Sequence, residues 1–217
     1  MSIVATASES LLGPYLQLFA STEIFIFVFM EIVSKLETIQ RVVFKRARLL
    51  DNVIFVLVFG LFSIFGTYIG LQGSYGSVAN IRAVTPIVAG LLGGPYIGLA
   101  VGLIGGIHRV FLGGESNVAC GLATILAGLL AGMVYRYNKG RLLGPIWAMI
   151  FAAGIELMHG GLALLLVRPF ADAIDIVRTT IPEMIIAVSL GVGIGVVIFH
   201  DVIKVEGPKI ERQSMPE

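Results

Sequence analysis

The 217-residue sequence predicts an all-α integral membrane protein of six to seven helices, two of them forming a hairpin broken at a Gly-Gly-Pro step. Three observations carry that prediction. Hydrophobic residues make up 57% of the chain. Charged residues make up only 13%, against roughly 25% in a soluble domain. Mean hydropathy is +0.94, and a soluble fold of this size has too little interior to hide so much apolar surface. The hydrophobicity lies in long stretches rather than in alternating strands, which selects helices over a β-barrel. Other classes fall away on the same arithmetic. The 27 glycines follow no collagen period, and basic and acidic residues balance at 15 and 14, so no global field favours nucleic acid. A single cysteine, Cys120, excludes an intramolecular disulfide and a cysteine-based metal site.

Taken in order, the first apolar block runs over residues 12–34. Residues 1–11 contain no Lys or Arg, and Glu9 precedes an overlong apolar stretch, so this is an N-terminal transmembrane helix (domain 1–34) and not a cleavable signal. Residues 35–50 set Leu36, Ile39, Val43, Ala47 and Leu50 opposite a basic face, the pattern of an amphipathic linker helix lying at the membrane surface. The core, 51–203, contains spans at 52–72, 117–135, 142–167 and 182–200, each long enough for a bilayer core of ~30 Å. Residues 204–217 form a polar tail.

The basic residues orient these spans. Segments 35–51, 136–141 and 204–217 hold eleven of the 15, including every lysine. The positive-inside rule makes these segments cytoplasmic and the N-terminus external. Loop 73–81 is then external, and the 117–135 span must start outside. The block between them, 83–112, therefore begins and ends on the outer side. Gly93-Gly94-Pro95 interrupts it, and proline disfavours helical conformation in the residue before it. The block reads as a re-entrant helical hairpin whose first arm, about 82–92, is too short to cross. Such a break is tolerated at membrane depth only where protein buries it or water reaches it. Gly90, Gly94, Gly98, Gly102 and Gly106, with Gly128 and Gly132, recur every four residues, a spacing that lets helices approach closely and is read first as a packing seam.

Arg82 and Arg109 flank the hairpin, so folding it brings both to its outer end. They have two readings: anchors that snorkel to lipid phosphates, or an anion site. Every basic residue placed outside is arginine, whose planar fork suits a carboxylate as lysine does not, and this favours the anion. Asn117, Cys120 and Thr124 follow at i, i+3 and i+7 on one helical face, a stripe able to hydrogen-bond a ligand or to join helices. Cys120 is not read as an enzymatic nucleophile, because no histidine is evidently placed as its base. Glu156 and His159 stand at i, i+3 inside the 142–167 span. A salt bridge from Glu156 to Arg82 or Arg109 is the expected role, with a proton relay as the alternative. His108 reads as a packing or interface residue. Segment 168–181, with Arg168, Asp172, Asp175 and Arg178 at helical spacing, is an external segment that either caps the site or is an ordinary solvated loop. No nucleotide-binding, zinc-protease or kinase motif is present, so no catalytic residue, metal or cofactor is expected.

Asn80-Ile-Arg82, Ala89-Gly-Leu-Leu-Gly-Gly-Pro95, Gly98 through Arg109, Phe111-Leu-Gly-Gly114, Cys120-Gly-Leu-Ala-Thr124, Gly128, Ile181-Pro182 and Gly191, led in by Asp51 to Gly70, resemble the LytS-type multi-helix sensor domain of bacterial histidine kinases. The resemblance covers about 45–203. It implies an inner-membrane sensory module whose C-terminus leads to a GAF-like segment and kinase, or sometimes a cyclase, with a response regulator beyond and a homodimer as the working state. It implies small carboxylates such as pyruvate as ligands, bound by Arg82, Arg109 and Cys120, with Asn80, Asn117 and Thr124 nearby. The family's site serine falls at Ala123, where Thr124 is the neighbouring hydroxyl, and Val188 stands where an asparagine is expected. The architecture implied is similar to the substrate-binding subunits of energy-coupling-factor vitamin transporters. With only 14 residues after 203, the output domain is expected in a separate chain or beyond an excised input domain. The leading expectation is thus a receptor for an external carboxylate. The alternatives are a small-metabolite transport subunit, and a dimerisation scaffold whose arginines are lipid anchors.

Overall fold

The computed structural model describes residues 20–72 and 78–213, which form eight helices and a small antiparallel ribbon. Helix α1 covers residues 20–34. It is followed by α2 (Glu37–Val43), α3 (Leu49–Tyr68), β1 (Gly70–Gln72), β2 (Val78–Asn80), α4 (Val84–Gly93), α5 (Pro95–Phe111), α6 (Asn117–Tyr137), α7 (Pro145–Leu166) and α8 (Phe170–Gln213). Four helices (α3, α6, α7 and the Phe170–Pro208 stretch of α8) are long and apolar enough to cross a membrane, with mean hydropathies of 1.8 to 2.2. Large apolar side chains such as Leu61, Trp147, Leu157 and Leu165 point outward from them. In water that surface would be a liability; in lipid it is matched. The start of the predicted first span and the signal-peptide argument at residues 1–11 lie outside the described residues.

The predicted hairpin is present. Gly94, between α4 and α5, sits at φ +86, a conformation that L side chains rarely adopt. Pro95 then opens α5 at its first position, where a missing N–H costs nothing. Every residue of α4 from Val84 to Leu92 is buried. A helix apolar all round belongs inside a bundle, and α4 runs through the middle of this one. Ile26 and Met30 of α1 meet it together with Gly191 and Gly195 of α8, while Gly128 and Ala131 of α6 close the other side. Phe25 and Phe29 of α1 stack on Phe62 of α3.

The glycine spacing is the packing seam it was read as. A Cβ on Gly98 would overlap the carbonyl oxygen of Gly128, and one on Gly132 would overlap the backbone of Pro95. Gly102 and Gly106 continue the seam against Thr124, Ile125 and Gly121. Helices α5 and α6 therefore touch backbone to backbone, and side chains reaching across from either one sit unusually close.

Three boundaries depart from the sequence reading. The linker is not one helix over 35–50. Helix α2 has seven residues and buries Ile39 and Val42, and Lys45 at φ +57 turns the chain. Asp51 then caps α3 by accepting the Arg48 N–H at 2.8 Å, which starts a new helix where the stripe was expected to continue. Exposed Arg41 bonds Glu37 at 2.6 Å, and that carboxylate raises its pKa. Loop 73–81 is bounded by the ribbon, with Leu71 opposite Ala79. Of the two readings of segment 168–181 the helical spacing is the one present: α8 starts at Phe170 and runs on through Pro182, where a separate span was expected to begin. Ala173 and Ile176 pack on Ala119, Ala163 and Val167, so burial of that face holds the helix despite the bond its proline forfeits. The expected tail is helical as far as Gln213.

The turn after α2 and the 136–141 loop lie at the same end of the bundle, where Lys45 reaches Gly140 and stands over the Tyr135 ring. The ribbon, Arg82 and Arg109 lie at the opposite end.

Candidate functional site

Arg82 occupies the turn between β2 and α4, held by its backbone from both sides. The Asn80 side chain accepts its N–H at 3.1 Å, and Ser63 of α3 donates to its carbonyl at 3.1 Å. Gly66 and Gly105 make room for this turn. A Cβ on Gly66 would stand 3.2 Å from Arg82 Cα, and one on Gly105 would overlap the Ser63 hydroxyl. With the backbone fixed, the side chain enters the protein and is 1% exposed. Its Nε donates to Thr124 Oγ1 at 2.9 Å, and Thr124 passes the chain on to the Cys120 carbonyl at 2.8 Å. Nη1 is buried and has no acceptor among the described residues.

Arg109, in the last turn of α5, is 5% exposed. Gly113 and Gly114, both at positive φ, fold the following loop back over it. Its Nη1 donates to the Gly113 carbonyl at 2.6 Å and its Nη2 to Ser116 Oγ at 3.3 Å. The two guanidiniums are close enough to interact electrostatically, and no carboxylate among the described residues lies within ion-pair distance of either. Two like charges withdrawn from water without a counter-ion are costly. An anion between them removes that cost.

Glu156 and His159 differ from expectation. Glu156, 1% exposed, bonds His159 Nδ1 at 3.0 Å and neither arginine, although Arg82 feels its charge. The other ring nitrogen, Nε2, lies 3.2 Å from Cys120 Sγ. A histidine is therefore placed against the cysteine, contrary to the sequence reading. The contact spans 39 positions, from α7 to α6, and no spacing rule exposes it.

Of the residues singled out from sequence, Arg82, Arg109, Cys120, Thr124, Glu156 and His159 gather in one buried cluster, with Asn80 supporting the Arg82 turn. Asn117 stays apart: its side chain bonds the Val110 carbonyl and the Val118 N–H at the α6 N-terminus. His108 pairs with Tyr68 at 3.2 Å on the flank. Arg168 donates to the Leu164 and Val167 carbonyls at the end of α7. Ser63 and Ser116 were missed. Ser63 is a hydroxyl inside an apolar span, and Ser116 directly precedes the polar stripe; those were the signals available. Ala123 is buried, so the hydroxyls beside the arginines are those of Thr124 and Ser116.

Comparison with known proteins agrees with this architecture. Residues 36–202 match the family described as 5TMR of 5TMR-LYT. The sensor histidine kinase BtsS of Escherichia coli is 36% identical over 140 residues, 62% of this chain and 25% of that protein. The sensor protein LytS of Bacillus anthracis is 32% identical over 177 residues, 74% of this chain and 30% of its own. LytS of Bacillus subtilis is 33% identical over 170 residues, covering 70% and 29%. The chain thus spans less than a third of the length of these relatives. No solved structure matches.

Proposed function

Because the chain belongs to the 5TMR-LYT family of multi-pass membrane sensor domains, we propose that it is a receptor for a small carboxylate of the pyruvate type. The observation that carries the reading is the pair of buried arginines, 1% and 5% exposed, with no carboxylate partner and one guanidinium nitrogen unsatisfied among the described residues. Thr124 and Ser116 orient one arginine each, so the forks are set before a ligand arrives, which lowers the ordering cost of binding. Cys120 lies between them as the next polar contact, and Asn80 supports the Arg82 turn; Asn117 has the smallest part.

By the basic-residue distribution, the arginine end is external and the 136–141 end cytoplasmic, and the bacterial sensor relatives support a bacterial cytoplasmic membrane. Helix α8 leads from the site end toward the C-terminal region, where the kinase homologues support a cytoplasmic output domain and response regulator as partners; a homodimer as the signalling unit is part of the same proposal. Ligand shifts the output only if it binds one arrangement of the hairpin and α8 better than the other.

Equilibrium binding of radiolabelled pyruvate to the purified 217-residue protein tests the reading. The wild type is expected to bind. Arg109→Ala is expected to weaken binding by about tenfold or more, the loss of one charge-assisted hydrogen bond or two. Equal binding by both proteins removes the arginine site. Accumulation of pyruvate in sealed vesicles would instead support the transport-subunit reading, since a receptor binds without concentrating its ligand.

A further inference from the structure

The receptor reading uses the arginines and leaves the Glu156–His159–Cys120 chain without a task. Each link of that chain is buried and short: carboxylate to Nδ1 at 3.0 Å, Nε2 to sulfur at 3.2 Å. A carboxylate that orients an imidazole, which in turn faces a thiol, is the arrangement that lets a thiol attack an electrophilic carbon. The same three groups would serve equally well as a hydrogen-bonded tie between α6 and α7. Arg82 separates the two roles. It is tied to the cysteine's carbonyl through Thr124 and leaves buried Nη1 with no acceptor among the described residues. A tie between helices has no use for an unsatisfied cation beside it. A nucleophile meets its base, and the arginine with the vacant donor is tied to the same turn of α6. The ligand chemistry that satisfies all three is a carboxylate carrying an electrophilic carbonyl next to it.

We propose that Cys120 captures the carbonyl carbon of a 2-oxo carboxylate as a reversible thiohemiketal, with His159 relaying the proton; the inference rests on the carboxylate-receptor reading above. A sulfur–carbon bond forms as the carbonyl π bond breaks and its electron pair moves to oxygen. The thiol proton passes through His159 Nε2 to that oxygen and leaves a hydroxyl. Nothing is oxidised or reduced, and reversal returns free thiol and ketone. Glu156 holds the ring and stabilises the imidazolium of the transfer, while Arg82 Nη1 donates to the oxygen or carboxylate where negative charge gathers. A 2-hydroxy acid of the same size has no trigonal carbon beside its carboxylate, so only the polar contacts hold it. The site then reads the oxidation state of its ligand, and not only its charge.

The test uses pyruvate carrying carbon-13 at its carbonyl carbon, bound to the full chain in nanodiscs, with lactate as the saturated comparison. A bound signal in the tetrahedral region, absent from Cys120→Ser and reduced in His159→Gln, is expected. Pyruvate is expected to bind the wild type at least about tenfold more tightly than lactate, with that ratio falling toward one in Cys120→Ser. Bound pyruvate whose carbonyl carbon stays trigonal overturns the adduct and leaves the receptor standing. Failure of the wild type to bind either acid overturns both. Should Cys120→Ser not fold, the wild-type resonance together with the pyruvate-to-lactate ratio still decides.

Discussion

At the scale of single residues, the fork of Arg82 is held at one nitrogen and unsatisfied at another. Lysine keeps the charge but has neither the Nε bond to Thr124 nor the planar geometry. Arg82→Lys is therefore expected to weaken pyruvate binding by about tenfold or more in calorimetry, while Thr124→Val, which removes only the orienting hydroxyl, has a smaller effect. Glu156→Ala leaves His159 buried with its Nδ1 unpaired. Removal of one member of a buried pair is expected to destabilise by about 3 kcal/mol, visible as a lowered melting temperature in detergent. Both arginines were legible as candidates because guanidinium in segments that hold no lysine is conspicuous. The partner of Glu156 was not. Opposite charge suggested an arginine, but proximity on one helix turn had already supplied His159 at i, i+3.

Among the elements, the α5–α6 seam sets the tolerance of the site. Gly98→Ala forces a methyl into the Gly128 carbonyl, where the obstacle is backbone and cannot rotate away. Overpacking of this kind costs about 1–3 kcal/mol, and because Arg109 and Cys120 ride on the two helices being pushed apart, binding is expected to weaken too. Gly154→Ala in α7 is the control: nothing lies within 4 Å of the added methyl, so the gain in helix propensity leaves stability unchanged or raises it by up to about 1 kcal/mol. Parallel melts of the two variants check the pair. The four-residue glycine spacing announced the seam, and Gly-Gly-Pro announced the hinge, since both are local backbone properties. The ends of α2 and α8 were not announced. Asp51 starts α3 earlier than hydropathy alone requires, and packing on α6 and α7 carries α8 through a proline that read as a beginning.

For the molecule as a whole, sidedness is the quantity to measure. In a Cys120→Ser background, Glu115→Cys, exposed in the loop after Arg109, is expected to react with a membrane-impermeant maleimide in intact cells. Asn138→Cys, beside the basic loop, is expected to react only after lysis. The reverse pattern inverts the topology and moves the site to the cytoplasmic face. The short helix α4 explains why the core tolerates a broken backbone: it is surrounded by protein, so its ends meet backbone and side-chain partners instead of lipid.

Composition, apolar run length and the Gly-Gly-Pro break determined that this chain is an α-helical membrane protein with a broken helical hairpin and two arginines at one end of it. Those properties are sums or local patterns, and they survive without knowledge of any distant contact. Tertiary structure alone decided which polar groups share the interior. It joined Cys120 to His159 across two helices, kept Glu156 out of ion-pair distance of both arginines, brought Ser63 to the Arg82 turn and left Nη1 of Arg82 without an acceptor among the described residues. The reason is geometric: facing helices bring together residues tens of positions apart, and which faces meet depends on glycines that let two backbones touch.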